Sequence, residues 1–485
     1  MNEAIRALEP SAVWNHFSDL NAVPRASKKE ERVIRFMTDF ADSLGLESMV
    51  DHVGNVIIRK PATPGMEDRM PIVMQSHLDM VHQKNADTDF DFDTQGIEMY
   101  VDGDWVRAKG TTLGADNGLG VATIMAVLAS DDIPHPAVEG LFTIDEETGM
   151  TGAIGLQGGI LQGDILLNLD TEEDDEIGVG CAGGVDVTAN GSYSTEPTDA
   201  GSQAYSIEVK GLQGGHSGMD IHKGFGNANK LMNRLLHRVS DVAKIASIDG
   251  GGLRNAIPRE SKAVVVVGAE AVSSFISSIE SEQQYLIEEY HIIEPDLEVV
   301  VEKTEMPAST MAAADQELLI RAIYATHNGV FRMSPAIEDL VETSNNLARV
   351  GVGDGNIEVL CLTRSSVESS KTDLANGLEA AFQMAGYKVS QSGSYPGWAP
   401  NMDSAILKVL DERYQARNGQ KAHIAACHAG LECGILGTNY PDMDMISFGP
   451  TIKGAHSPDE RASISSTKKY WDFVQDILQH IPKKG

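Results

Sequence analysis

Short apolar segments that end directly in acidic or imidazole side chains recur in the first part of the chain. Three of them read as β-strands: MPIVMQSHLDMV, EGLFTIDE and GDILLNLD. The segment GLGVATIMAVLASD lies between the first two and has the length and apolar character of a helix. Alternating strands and helices are typical of an α/β fold, in which ligands bind at the carboxyl ends of the strands. We therefore expect the polar residues that follow these strands to share one edge of a sheet.

The pattern changes near Val185 and returns to its first form near residue 397. Between these points, strands such as YSIEVKGL, KAVVVVGA, LEVVVEKT and NIEVLCLTR are interleaved with helices such as NANKLMNRLLHRV and KTDLANGLEAAFQMAG. A chain of 485 residues also exceeds what one hydrophobic core usually organises. We therefore predict a discontinuous α/β domain formed by residues 1–184 and 397–485, and an inserted α+β domain formed by residues 185–396.

The charge balance limits the kinds of partner that the chain can have. It contains 38 Lys and Arg residues against 71 Asp and Glu residues, which gives a formal net charge of -33 at pH 7. Such a surface disfavours nucleic acid and anionic membranes, and no stretch approaches the ~18 apolar residues of a spanning helix. The N-terminus lacks a secretory signal, and the four cysteines are scattered singly. We expect a cytoplasmic protein without nucleic-acid or membrane partners.

Two local motifs fail because of their context. GVGCAGG at residues 178–184 fits the GxGxxG pattern, but it leads into VDVTANGSYS, which reads as a strand and not as the helix of a dinucleotide site. DTDFDFDTQGIE at residues 87–98 has acidic residues at calcium-loop spacing, but Phe92 stands where that loop needs glycine. Neither HExxH nor GxSxG occurs in the chain, which argues against thermolysin-like and α/β-hydrolase sites.

Acidic and imidazole residues follow the predicted strands or lie near the end of the chain. They are His77, Asp79, Asp116, Glu146, Glu147, Asp170 and His456. Taken singly, each is explained as a satisfied polar side chain or as a cap of a turn or helix. Taken together, several carboxylates at one sheet edge would repel one another unless cations lay between them. Mixed imidazole and carboxylate donors suit zinc, with manganese or cobalt as substitutes, so the sequence predicts a metal site.

Strand alternation adds one detail to this predicted site. His77 and Asp79 are separated by one residue, so both would point to the same face of a single strand. This placement first suggests two ligands of one ion.

Several segments of the chain carry a family resemblance: HLDMV, GTTLGADNGLG, DEETG, NLDTEE, GGHSG and GAHSPDE. In this order they resemble the di-zinc exopeptidases, a family that includes aminoacylase, carnosinase and bacterial dipeptidases. The segments NVIIRKPAT, LQGG, GCAGG, GNANKL, LRNAIPRE, YPGW and HAGLECG resemble the dipeptidase branch. The resemblance covers nearly the whole chain. It implies a catalytic domain with a mixed sheet and flanking helices, together with an inserted lid and dimerisation domain.

The resemblance also implies two Zn²⁺ ions per subunit, for which Co²⁺ or Mn²⁺ could substitute. His77 and Asp170 would bind one ion. His456 and Glu147 would bind the other ion. Asp116 would bridge the two, because one aspartate can give one oxygen to each.

Catalytic roles follow from the same resemblance. Glu146 is adjacent to an implied metal ligand but is not one itself, and it would act as the general base that activates the hydrolytic water. Asp79 would orient the imidazole of His77 instead of binding metal. The resemblance further implies a cis peptide bond between Asp116 and Asn117.

Substrate contacts are assigned to the inserted domain and to the returning segment. His216 would stabilise the oxyanion, in its own chain or in the partner subunit, although GGHSG alone reads as a hairpin turn. Arg364 and Asn255 would bind the substrate carboxylate and backbone, and an ordinary ion pair is the alternative for Arg364. Gly430 and Glu432 would line the pocket from the returning domain. Glu432 could bind a substrate amino group or could be a buried structural carboxylate.

The leading hypothesis is a cytoplasmic zinc dipeptidase that forms a homodimer through its inserted domain. It would hydrolyse unblocked dipeptides, including Xaa-His dipeptides such as carnosine. A second hypothesis keeps the metal site but makes the protein a deacylase of N-acyl amino acids; the large insert favours the dipeptidase. A third hypothesis is a metal-binding protein without catalysis, against which the presence of Glu146 beside Glu147 argues.

Overall fold

The computed structural model describes residues 2–484, which form two compact units. The first unit has three parts, residues 2–180, 400–426 and 431–484, and the second has two, Cys181–Ala399 and Cys427–Gly430. The predicted fold class, a discontinuous α/β part interrupted by an α+β part, is confirmed. Three segments differ from the predicted bounds: residues 181–184, 397–399 and 427–430, the last of which includes Gly430, belong to the second unit, whereas the sequence analysis placed them in the first.

The first unit is built on a mixed sheet. Its strands lie in the order Glu47–Val50, Val56–Lys60, Val138–Thr143, Ile72–His77, Ile165–Asn168, Asp444–Ser447, Glu176–Cys181 and His423–Cys427. The four strands from Val138–Thr143 to Asp444–Ser447 in this order run parallel. Because parallel strands end on the same side, their carboxyl ends lie at one edge of the sheet.

Helices and a small antiparallel sheet complete the first unit. The helices are Glu3–Arg6, Ser11–Leu20, Glu31–Leu44, Ala115–Ala129, Glu146–Gly149, Thr151–Gly155, Ala405–Asn418, Glu432–Asn439 and Ile464–His480. The small sheet has the order Ile452–Lys453, Arg461–Ser463, Trp105–Ala108 and Met99–Asp102. Within residues 2–484, none of the helices combines the length and the apolar character that a membrane crossing requires.

The second unit is built on a large antiparallel sheet. Its strands lie in the order Glu298–Lys303, Gln203–Lys210, Ser261–Val267, Ala243–Gly251, Val341–Gly353, Asn356–Ser365, Gly183–Ser192 and Lys388–Tyr395, with Gly329–Met333 beside Val341–Gly353. Two short ladders pair Thr195–Pro197 with Ser309–Met311 and Gly215–His216 with Ala256–Ile257. The helices are Ala228–Arg238, Val272–Tyr290, Ala313–Ala325 and Glu368–Met384, with 3₁₀ turns at Ile221–Lys223 and Ala269–Ala271.

Local sequence explains several of these elements. The strand Ile72–His77 is buried at every residue, as expected of a parallel strand covered on both faces. The helix Glu31–Leu44 ends at Gly45, whose φ of 67° is a left-handed conformation that glycine adopts without steric cost. The GVGCAGG segment passes from the strand Glu176–Cys181 directly into the strand Gly183–Ser192. The motif therefore leads into a strand, as predicted, and not into the helix of a dinucleotide loop.

Candidate metal centre

Three parallel strands of the first unit bring acidic and imidazole side chains to one sheet edge. His77 is the last residue of its strand, and Asp170 follows the neighbouring strand Ile165–Asn168 by two residues. The strand Val138–Thr143 lies on the other side of the His77 strand. After it, Asp145 has a φ of 53°, and this turn leads the chain directly into a helix that begins at Glu146. The polar residues predicted to follow the strands therefore do lie together.

Asp116 lies between the two histidines of the predicted site. Its Oδ1 is 3.2 Å from Nε2 of His77, and its Oδ2 is 3.1 Å from Nε2 of His456. The peptide bond between Asp116 and Asn117 is cis, in agreement with the family resemblance. Since each oxygen of one carboxylate faces a different imidazole, Asp116 has the geometry that a bridging ligand requires.

Two groups of potential metal donors share this aspartate. His77, Asp116 and Asp170 form one group, and Asp116, Glu147 and His456 form the other. Within each group the donor atoms all lie within 4.8 Å of one another. Nε2 of His77 is 3.6 Å from Oδ1 of Asp170, and Nε2 of His456 is 2.9 Å from Oε2 of Glu147.

The donor set fits two divalent cations. Oε1 of Glu147 is buried and has no hydrogen-bond partner, although leaving such a group unsatisfied costs about 1–3 kcal/mol. A cation beside it would satisfy that oxygen. Imidazole and carboxylate donors in groups of three also match the three protein ligands of a catalytic zinc site, which leaves a position open for water or substrate. The residues present therefore fit the predicted pair of ions.

The pKa shifts of the clustered residues also indicate that positive charge is missing from this site. Burial raises the pKa of Glu146 to about 8, and neighbouring carboxylates add to this effect. Burial and nearby negative charge also raise the pKa of Asp170 well above its usual range. Hydrogen bonds to Asp116 and Glu147 raise the pKa of His456 to about 11. Divalent ions would reverse these shifts, because they favour ionised carboxylates and neutral imidazoles.

Asp79 lies beyond the end of the strand, so the argument from strand alternation was wrong. Asp79 nevertheless contacts His77, whose Nδ1 lies 3.1 Å from the Asp79 carbonyl and 3.4 Å from its carboxylate. A nitrogen that faces a carbonyl oxygen must donate, so Nδ1 carries the proton and Nε2 is left to bind metal. The Asp79 carboxylate also accepts hydrogen bonds from the backbone N–H groups of Glu146 and Glu147, at 3.0 and 3.2 Å.

A further group of carboxylates near Asp79 is structural. Glu30, Asp79 and Asp145 are buried and lie within 4.8 Å of one another through one oxygen each. Protein donors already satisfy them: Glu30 accepts the N–H of Asp145, and Asp145 accepts the hydroxyl groups of Thr148 and Thr151. These hydrogen bonds fix the turn that carries Glu146 and Glu147. Asp79 binds the backbone of the same turn.

His216 lies in the second unit and has a defined tautomer. Its Nδ1 accepts hydrogen bonds from the backbone N–H groups of Gly218 and Met219, at 3.2 and 3.1 Å. The neutral ring must therefore carry its proton on Nε2. Burial, together with the charge of Arg364, lowers the pKa of His216, which keeps this neutral form dominant near pH 7.

The other predicted substrate residues also lie in the second unit. Arg364 is buried, donates to the hydroxyl of Tyr395 at 2.9 Å, and leaves its Nε buried without a partner. Asn255 lies beside His216, since its carbonyl accepts the N–H of Ser217 at 2.7 Å. Gly430 ends the short Cys427–Gly430 segment. The structure thus groups His216 with Asn255 and leaves Arg364 with an unused donor.

Comparison with known proteins decides the family. The sequence profile of Peptidase family M20/M25/M40 matches residues 73–480. The chain belongs to this family. The family resemblance read from the sequence motifs is therefore confirmed, and this M20 peptidase is metal-dependent as a member of that family.

Two full-length relatives are similar to this M20 peptidase. It is 44% identical over 479 residues to the cytosol non-specific dipeptidase of Escherichia coli K12, covering 98% of this chain and 99% of the relative. It is also 44% identical to the aminoacylhistidine dipeptidase of Vibrio alginolyticus, whose crystal structure aligns with a TM-score of 0.94 over 100% of this chain and 99% of that one. The aminopeptidase PepT of Bacillus cereus, at 15% identity and a TM-score of 0.58, shares the fold and covers 98% and 99% of the two chains.

Sequence reasoning missed several residues that surround the metal centre of this M20 peptidase. Asn117 donates its side-chain amide to Asp170 at 2.5 Å. Arg25 and Glu460 are buried and bind the backbone that leads into Asp116. Glu460 belongs to the GAHSPDE segment that also supplies His456, and that shared segment was the available signal.

Glu432, for which two roles were open, is completely buried in the first unit. One of its oxygens accepts hydrogen bonds from Gln75 at 2.6 Å and from Thr143 at 2.7 Å. Its other oxygen, Oε1, is buried and has no hydrogen-bond partner. Burial and two protein donors agree with a structural carboxylate, and both roles of Glu432 stay predictions.

Proposed function

We propose that the protein is a metal-dependent dipeptidase that hydrolyses unblocked dipeptides, including Xaa-His dipeptides such as carnosine. Membership of the M20 family and 44% identity to two full-length dipeptidases support this activity. The observation that carries the proposal is the pair of donor groups that share Asp116, with Glu146 directly beside Glu147. The likeness to a relative described as a cytosol dipeptidase supports a cytoplasmic location.

Two Zn²⁺ ions are the cofactors that this proposal requires, with Co²⁺ or Mn²⁺ as substitutes. His77 and Asp170 would hold one ion, His456 and Glu147 would hold the other, and Asp116 would bridge them. When bound, the ions would polarise the scissile carbonyl and make a nearby water more acidic.

Glu146 is proposed as the general base. Its carboxylate lies within 4.8 Å of donor atoms of both His77 and Glu147, and Asp79 holds its backbone in place. Glu146 would accept a proton from the water as the water oxygen bonds to the peptide carbonyl carbon. It would then return that proton to the leaving amino group as the C–N bond breaks.

Residues of the second unit are proposed to bind the substrate. His216 would donate from Nε2–H to the oxyanion, because its Nδ1 is already occupied as an acceptor. Arg364 would bind the C-terminal carboxylate through donors that include its unpartnered Nε. Asn255 and Gly430 would contact the substrate backbone. Asp79, which binds no metal in this scheme, would orient His77 and the Glu146 turn.

A substrate panel tests the proposed activity. The protein should be stripped with chelator, reloaded with zinc and assayed on Gly-His, on Gly-His amide and on N-acetyl-His. We expect rapid hydrolysis of Gly-His and at least about 10-fold slower hydrolysis of the amide, because the amide lacks the carboxylate that Arg364 would bind. N-acetyl-His should not be cleaved. Cleavage of N-acetyl-His without cleavage of any dipeptide would instead establish the deacylase.

A homodimer formed through the second unit is also proposed. Large apolar side chains remain exposed on this unit, among them Ile292, Met384 and Leu253, which are 82%, 86% and 75% exposed. Sedimentation equilibrium of the zinc-loaded protein should give twice the chain mass of 52.1 kDa. A single-chain mass at micromolar concentration would contradict the dimer and would confine the proposed role of His216 to its own chain.

A further inference from the structure

A buried carboxylate joins the His456 loop to the turn that carries Asp116. Glu460 follows His456 by four residues and is 2% exposed. Its Oε2 accepts the backbone N–H groups of Leu113 and Gly114, at 2.6 and 2.9 Å. Its Oε1 accepts those of Ala115 and Asp116, at 2.8 and 3.2 Å. One side chain therefore holds successive peptide groups up to the bridging aspartate.

These hydrogen bonds hold a turn and do not cap a regular helix. Within the segment Ala115–Ala129, Asp116 and Asn117 have non-helical backbone angles, so the regular helix begins after Asn117. Glu460 supplies the acceptors for this turn from a distant part of the chain. The acceptors therefore come from the segment that also provides His456.

Arg25 holds the same turn from the other side. Its Nη2 donates to the carbonyl of Gly114 at 2.6 Å, and its Nη1 donates to the carbonyls of Leu78 and Asp79 at 3.0 and 3.1 Å. Gly114 has a φ of 69°, and a Cβ added there would lie 2.5 Å from Nη2 of Arg25. The turn is thus enclosed tightly, and the segment that follows His77 is tied to it.

We propose that Glu460 is a positioning residue of the metal centre, which fixes the Asp116 carboxylate relative to His456. Glu460 shares a loop with one of these residues and binds the backbone N–H of the other. The distance between Asp116 Oδ2 and His456 Nε2, 3.1 Å, therefore depends on the Glu460 carboxylate. This inference rests on the proposed function, because it assigns Glu460 to the metal site of that function.

Substitution of Glu460 by glutamine tests the proposal. In Glu460→Gln, the amide oxygen can still accept two backbone N–H groups, but the amide NH₂ would face the other two donors. We expect Co²⁺ affinity to fall by about 10- to 100-fold, the usual effect of removing a residue that orients metal ligands. The visible absorption of bound Co²⁺ should change, and kcat for Gly-His should fall more than KM rises.

Glu139→Gln is the matched control. Glu139 is also a buried glutamate of the first unit, and it accepts backbone N–H groups from Gln162 and Gly163, at 2.6 and 3.0 Å. It lies near the amino end of its strand, away from the metal residues. We expect this control to lower the thermal midpoint while leaving Co²⁺ affinity and the Co²⁺ spectrum unchanged.

The outcomes separate this inference from the proposed function. Wild-type Co²⁺ affinity and spectrum in folded Glu460→Gln would overturn the positioning role and would leave Glu460 with a role in stabilising the turn only. If wild-type protein bound no Co²⁺ and cleaved no dipeptide, the proposed function itself would fail.

A measurement on the wild-type protein covers the case in which Glu460→Gln does not fold. Amide hydrogen exchange of residues 113–116 should be slow in chelator-treated protein, because Glu460 holds these N–H groups before metal binds. Fast exchange that becomes slow only after Co²⁺ is added would overturn the proposal, since the turn would then be ordered by the metal.

Discussion

Glu146→Gln should lower kcat for dipeptide hydrolysis by about 10²- to 10⁴-fold while the protein keeps two zinc ions per chain. Glutamine preserves the size of the side chain, and the backbone hydrogen bond from Glu146 to Asp79 does not depend on the substituted group. It cannot accept a proton from water, however, so only the base function is removed. Zinc content measured by inductively coupled plasma mass spectrometry and steady-state kinetics on Gly-His check both parts of this prediction.

The control for this substitution is Glu412→Gln, on an exposed face of the helix Ala405–Asn418. It should match the wild-type protein in both measurements. If Glu146→Gln lost zinc together with activity, Glu146 would be a metal ligand and the roles of Glu146 and Glu147 would have to be exchanged. Undiminished turnover would exclude Glu146 as the base.

Asp116→Asn should abolish measurable turnover and release at least one zinc ion. The two oxygens of Asp116 face His77 and His456 separately, so replacing one oxygen with an amide nitrogen removes a donor from one of the two groups. An amide nitrogen has no lone pair to offer a cation, and the remaining oxygen is neutral. Zinc content after dialysis should therefore fall from two ions per chain to one or none.

Asp104→Asn is the matched control for Asp116→Asn. Asp104 is an aspartate of the first unit that accepts the N–H of Ser465 at 3.0 Å, at the start of the final helix. Its substitution should lower stability slightly and leave the zinc content at two. Full retention of two zinc ions and of activity in Asp116→Asn would remove the bridging role from Asp116.

The elements that carry the metal residues were predictable from the sequence because their signals are local. The segment from Ile72 to His77 is apolar and becomes a buried parallel strand, and the polar residues after it mark the end of that strand. The cis bond after Asp116, which the family resemblance implied, is also present. Local apolar patterns of this kind predict a helix or strand correctly where that helix or strand is buried in the core.

Other features depend on long-range contacts that leave no local pattern. Arg25 binds a carbonyl 89 positions along the chain, and Glu460 binds N–H groups more than 340 positions away. The placement of Asp79 on the strand was wrong because strand alternation was extended past His77, where the strand ends. The strand His423–Cys427 has only half-buried or exposed residues. Its sequence therefore lacks the alternation of apolar and polar residues that predicts a strand.

The most direct test of a metal centre bridged by Asp116 is anomalous diffraction from crystals of the zinc-loaded protein at the zinc absorption edge. We expect two peaks per chain. One should lie within about 2.0–2.2 Å of donors from His77 and Asp170, the other within the same range of His456 and Glu147, and each should contact a different oxygen of Asp116. A single peak, or two peaks that share no contact with Asp116, would contradict the account.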